Sequence, residues 1–380
     1  GSTAFDSTNN DTDGTISGAS WVTEGTITST AGSGMLDFTG SGKYIYYKTD
    51  EILPIIETSA GTLTLSCVDT AQASSVLKTQ SMRIHGGTLN AGAGIIEILD
   101  EKTSSGFCWS HTAGTYNHNN GTVKIKHTTD SHIQENTFYN LILEHAASSD
   151  ETHWRPKSGT TLTVANNLTI KEGKFSIDTA GNTFNVTQEV LVESGGVFND
   201  DDDASGAHTF GSLTINSGGT YNATSGTTTL ATADTQRAGH SGQPSALEVK
   251  SGGTFTHNNG TVKFTSSYDQ DIEMDGTGTL YNFTINKSDN DAIHSSSLVI
   301  ENNLDVTLAA GHSLRPSSGS NTVTVYGNTY LTTGNIGDTT QYTGTNNWGL
   351  VTINSGEFIL STGTNNVSGI RNVGGTVSQS

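Results

Sequence analysis

Residues 114–125 read GTYNHNNGTVKI and residues 253–264 read GTFTHNNGTVKF, so nine of twelve letters agree across a spacing of 139 residues. The match continues in order. Thr137-Phe138-Tyr139-Asn140-Leu141 answers to Thr279-Leu280-Tyr281-Asn282-Phe283, and Leu162-Thr163-Val164-Ala165-Asn166-Asn167-Leu168 answers to Leu298-Val299-Ile300-Glu301-Asn302-Asn303-Leu304. Gly181-Asn182-Thr183-Phe184-Asn185-Val186 then matches Ser320-Asn321-Thr322-Val323-Thr324-Val325. Changes of spacing fall between the apolar stretches, where loops absorb them. A long internal repeat therefore covers residues 114–198 and 253–333, and repetition is the starting point for the fold.

A shorter unit is nested inside it. VLVESGGVF at 190–198 recurs as LTINSGGTY at 213–221, as LEVKSGGTF at 247–255 and as VTINSGEF at 351–358. Apolar residues alternate with Thr, Asn, Glu or Lys, which is the period of a strand with one buried face. Ser-Gly-Gly and Asn-Asn-Gly supply the positive φ that a sharp corner needs. Leu191, Leu213 and Leu247 stand 22 and 34 residues apart, as expected of rungs of about 20 to 25 residues carrying inserted loops. Strand, corner, strand predicts an all-β chain wound as a β-solenoid, a parallel β-helix. Residues 86–380 would make about 13 coils of about 23 residues, stacked at about 4.8 Å into a rod of about 60 Å. An array of β-sandwiches is the alternative, but the nested unit is too short for a separate core.

Composition agrees. The chain has 380 residues, of which only 32% are hydrophobic and 14% charged. It carries 45 Gly, 4 Pro and about 60 Thr, a β-branched type suited to a pleated, half-exposed surface. A solenoid needs few apolar residues per coil, because each slab is shared with its neighbours. Aromatic residues spread along the chain at alternating positions argue against disorder. Residues 1–85 read less regularly and are expected to form a β-rich cap or attachment region, with a short helix at Ala71 to Gln80. The start Gly1-Ser2-Thr3 lacks an initiator Met and a signal pattern, so a processed form or a cloning scar is expected.

The formal net charge of −20 repels phosphate backbones and anionic lipid, which excludes nucleic acid as a partner. No apolar run approaches the roughly 18 residues of a membrane span. Cys67 and Cys108 could form one bridge, which the sequence leaves open.

Where the SGGTF, HNNGTVKF and TLYNFTINKS strings line up, the chain resembles the repeat regions of secreted bacterial β-solenoid proteins, the filamentous-haemagglutinin-like and autotransporter-like adhesins. It is also similar to the solenoid repeats of phage tail fibres. The resemblance covers residues 86 to 380. It implies an extended protein outside the cell, on a cell surface or on a virion surface.

Two segments are candidate metal sites. Asn9, Asp11 and Asp13 place oxygen ligands at alternating positions before Gly14 and Ile16, as in a calcium loop, although Ser20 stands where a bidentate Glu belongs. Asp200, Asp201, Asp202 and Asp203 follow a strand, and their mutual repulsion would attract calcium. Asp269, Asp271, Glu273 and Asp275 alternate along one strand face, which could seat an acid and base pair. The repeat places Asp130, His132 and Gln134 at the first three of these positions, so a solvated outer face is expected there. His118 and His257 read as turn formers, and Trp154 as a packing residue that could otherwise stack on a sugar. Thr-rich runs such as Thr227-Thr228-Thr229 lack the constant period of an ice-binding or mineral-binding array.

Linear signatures of metalloproteases, P-loops, dinucleotide sites, nucleophile elbows and kinases are absent. The expected function is thus a non-enzymatic structural or adhesive protein that self-assembles through its terminal strands into a filament or fibre. A tailspike-like glycan-binding protein, or a polysaccharide lyase or hydrolase, is the alternative.

Overall fold

The computed structural model describes residues 27–28, 35–38, 42–68, 70–99, 106–126, 130–135, 137–145, 147, 149–155, 161–177, 181–200, 205–231, 245–337 and 343–380. Alternating strands and tight corners coil the chain as the repeats imply, into a β-solenoid of about 13 turns. Two compact units divide it, residues 1–176 and 177–380. Strands of successive coils pair in parallel along three faces, each described below as a sheet.

In the first unit, one sheet stacks Glu51–Leu53, Val76–Thr79, Ile95–Ile98, Thr122–Ile125, Asn140–Glu144 and Leu168–Ile177. The second stacks Met35–Phe38, Ile55–Thr58, Met82–Ile84, Phe107–His111, Ser131–Gln134 and Glu151–Trp154. The third holds Lys43–Tyr47, Thr62–Cys67, Thr88–Asn90 and Thr115–Asn117, and Thr137–Phe138 pairs separately with Thr161–Val164. Parallel pairing thus runs across residues 85 and 86, with Leu63 opposite Leu89. An antiparallel pairing joins Ile27–Thr28 to Met35–Phe38.

In the second unit, registers in the first sheet give the coil lengths. Thr227 pairs with Thr261 after 34 residues, Thr261 with Asn282 after 21, and Leu304 with Thr329 after 25. The long coil carries the extra sequence between Leu230 and Ser245. The second sheet includes Ser245–Val249, Gln270–Met274, Ala292–His294 and Ser313–Pro316. The third includes Gly196–Asn199, Thr220–Asn222, Thr254–Thr256, Leu298–Ile300 and Val323–Val325.

The alternating letters turn inward as predicted. Leu213, Ile215, Leu247, Val249 and Ile272 are buried in successive coils of one sheet. Aromatic rings continue the stack in the third sheet, with Phe198, Tyr221 and Phe255 at centroid separations of 5.1 and 5.8 Å. Shared burial of this kind contributes about 25 cal/mol per Å² of apolar surface, so each coil is stabilised by its neighbours rather than by itself. Outside, Asn side chains form ladders: Asn117 Nδ2 donates to Asn90 Oδ1 at 2.7 Å, Asn222 to Asn199 at 2.9 Å and Asn302 to Asn282 at 2.9 Å.

The helix expected at Ala71 to Gln80 is corrected. Only Gln72–Ser74 forms a single 3₁₀ turn, and Val76–Thr79 is a strand paired on both edges. The backbone partners offered by two neighbouring coils outweigh local helix propensity over so short a run. Among the described residues no helix is long and apolar enough to cross a membrane.

Candidate functional site

The Asn-Asn-Gly corners have one geometry in both units. Asn119 and Asn120 have φ of 46° and 61°, and Asn258 and Asn259 have 44° and 62°. Within Asn-Asn-Gly it is therefore the Asn residues that supply the left-handed backbone of the corner. Gly121 and Gly260 supply room instead: a Cβ would stand 2.4 Å from Gly92 O and 2.2 Å from Thr224 O. His118 Nδ1 accepts from the Asn120 N–H at 3.1 Å, and His257 Nδ1 from the Asn259 N–H at 2.9 Å. Each ring stacks on a tyrosine of the next coil, His118 on Tyr139 at 5.5 Å and His257 on Tyr281 at 5.4 Å. These histidines build corners, and burial holds the His118 imidazole below its ordinary value.

Of the candidate calcium ligands only Asp200 lies among the described residues. Asn9, Asp11, Asp13, Asp201, Asp202 and Asp203 lie outside the described residues. Asp200 is buried, its Oδ2 2.8 Å from Nε2 of the buried His208, so this carboxylate is committed inside the coil. No group of three metal-ligating side chains occurs among the described residues. Cys67 and Cys108 are both free thiols, and burial pushes Cys108 up to about 11. Trp154 is fully buried, and its indole N–H donates to Glu135 O at 2.7 Å, which leaves no face for a sugar.

The acidic strand departs from expectation in one respect. Asp275 is exposed, but Asp271 is covered and accepts from Ser295 Oγ at 2.6 Å. Asp269 Oδ1 accepts the Asp291 N–H at 2.8 Å, and Asp291 in turn accepts from Ser313 N–H and from Arg315 Nε. These carboxylates are rungs of a corner ladder. Between them Gln270 turns inward to meet Lys287, a buried lysine that the sequence did not single out because Asn286-Lys287-Ser288-Asp289-Asn290 reads as a solvated turn.

Two further surface features stand out in the second unit. The coil formed by Asn365–Asn372 and Thr376–Gln379 pairs on one edge with Asn346–Ile353 and Glu357–Leu360. Its column residues Ile370 and Val377 are in register with the buried Val351 and Phe358, yet they are 43% and 40% exposed. Beside it lies a groove of about 580 Å³ lined by Tyr326, Asn347, Trp348, Asn366 and Ser368. Tyr326 is 71% exposed. Asn366 Nδ2 donates to Asn347 Oδ1 at 2.8 Å, and Asn347 Nδ2 to Thr324 Oγ1 at 3.1 Å, so the amides stand in a fixed row.

Compared with known proteins, the chain matches no family model, no curated protein and no solved structure.

Proposed function

We propose that this chain is a non-enzymatic structural or adhesive protein of the extracellular space, displayed on a cell or virion surface, which joins end to end with a second copy of itself. The supporting observation is the stacking itself, in which each coil adds to the one before by parallel pairing and a shared apolar column, as at Val351 with Ile370 and Phe358 with Val377. Parallel pairing and shared apolar columns are features that strand addition between two copies can reuse. Charge points to a copy of the same chain: the molecule carries −20, yet from Ile359 to Gln379 the only charged side chain is Arg371. End contact therefore places this weakly positive coil against an acidic molecule and avoids the self-repulsion met elsewhere.

Sedimentation velocity across a concentration series, with electron microscopy of the concentrated sample, tests it. Elongated multimers are expected, and Ile370→Glu with Val377→Glu should reduce them to monomers. A parent protein that stays monomeric at all concentrations removes the reading.

The groove supports a second reading, glycan binding. An exposed tyrosine beside a row of amides suits a neutral saccharide, and among the described residues no carboxylate lines the groove, which favours binding over cleavage. Titration of neutral oligosaccharides against Trp348 fluorescence should show a change that Tyr326→Ala abolishes. Release of new reducing ends would instead indicate an enzyme.

A further inference from the structure

Lys287 is turned into the fold and is 2% exposed. Its Nζ lies 2.8 Å from Ser266 O, 3.3 Å from Gln270 Oε1, and also against Tyr268 O. Gln270 is fully buried, and its amide can be placed only one way round: Nε2 donates to Leu230 O at 2.8 Å, and Oε1 accepts the Ser266 N–H at 2.9 Å. A primary amine is thus held against an amide whose oxygen already receives a backbone N–H, the device that stabilises a developing oxyanion. Fixed proximity of this kind replaces an encounter in solution and accounts for large accelerations of otherwise slow acyl transfers.

Burial draws the Lys287 ammonium down to about 8, against the opposing pull of Asp269, Asp291 and Asp289. A neutral, nucleophilic fraction of the amine is therefore present near neutral pH. We propose that Lys287 and Gln270 join in an intramolecular isopeptide bond that staples two neighbouring coils. Neutral Nζ adds to Cδ of Gln270, and the oxygen takes up negative charge against the Ser266 N–H. The Cδ–Nε2 bond then breaks, a proton passes from Nζ to the departing nitrogen, and ammonia leaves. One C–N bond forms and one breaks, so neither an oxidant nor any other co-reactant is needed. The staple closes a ring between a second-sheet strand and the corner of the following coil, and it does not depend on the functional reading above.

Mass spectrometry of the purified full chain tests this. The expected intact mass is about 17 Da below that of the sequence, from the lost ammonia. An Asn succinimide gives the same loss, so the deciding signal is a branched peptide joining the segments around Gln270 and Lys287 after proteolysis. Lys287→Arg keeps the cation and should return the full mass with no branched peptide, as should Gln270→Glu. A parent protein that shows no branched peptide after prolonged incubation at neutral pH overturns the proposal and leaves Lys287 as an ammonium plug. That measurement on the parent holds whether or not either variant folds.

Discussion

The corner after Asn140–Glu144 in the first unit and the corner after Asn282–Asn286 in the second share a sequence ancestry visible in the repeat, yet they bury different chemistry. The slot after the strand holds His145 in one and Lys287 in the other. His145 Nε2 pairs with the buried Thr152 Oγ1 at 3.1 Å, whereas Lys287 meets Gln270. The next core position diverges as well: Trp154 is the register partner of Ile133, and His294 is that of Ile272. Trp154 Nε1 donates to Glu135 O at 2.7 Å, while His294 Nδ1 lies 2.9 Å from Ser296 O. Backbone corners and alternation are thus retained while the filling of a slot changes, because a slot asks only for volume and for partners to its polar atoms.

The largest effect expected from breaking this comparison is at Trp154. Trp154→Ala should destabilise the first unit by about 3–5 kcal/mol, the usual loss for emptying a large aromatic site. Chemical denaturation, with hydrogen exchange followed at Ile133 and Phe138, measures it.

Acidification should expose the difference next. His294 is buried and its imidazole is drawn down to about 4 by desolvation, against the ordinary 6.5. The folded state therefore refuses a proton that the unfolded chain accepts. Stability contributed by this group is present above about pH 6.5 and is lost as pH falls towards 4, by up to about 3 kcal/mol. Unfolding midpoints at pH 7.5 and 4.5 should differ less in His294→Gln than in the parent. Trp154, which does not titrate, provides no such dependence in the first unit.

The corner glycines should respond alike and so confirm what the two units share. Gly121→Ala and Gly260→Ala each force a Cβ against a carbonyl of the preceding coil and should cost about 2 kcal/mol by thermal denaturation. A large disparity between them would show that the corners are not equivalent.

Least is expected at Glu301, which stands 3.3 Å from His257 and accepts from Thr279 Oγ1 at 2.7 Å. The matching residue in the first unit is Ala165. Glu301→Ala should shift stability by no more than about 0.5 kcal/mol, as for other exposed pairs.

Much of the fold was legible from local pattern. Leu213-Thr214-Ile215-Asn216 states which face is buried, and the HNNG corners state where the chain turns. Val76–Thr79 was misread because its neighbours in sequence permit a helix, and only pairing with strands 26 and 19 residues away, at Glu51–Leu53 and Ile95–Ile98, decides it. Alternation along Asp269 to Asp275 puts Gln270 on the inward face with Ile272, but nothing in that row shows that Lys287 meets it. The candidate calcium residue Asp200 likewise reads as part of a solvated acidic run, but it is claimed by His208 one coil further on.

By itself the sequence determined a coiled β chain with one greasy face, polar outer rungs and Asn or Gly at its bends, since alternation and backbone chirality act between residues adjacent in the chain. Tertiary structure alone decided which side chains meet across coils: His208 with Asp200, and Lys287 with Gln270. Those partners lie in different coils, and insertions of variable length between coils hide the register until the strands are stacked.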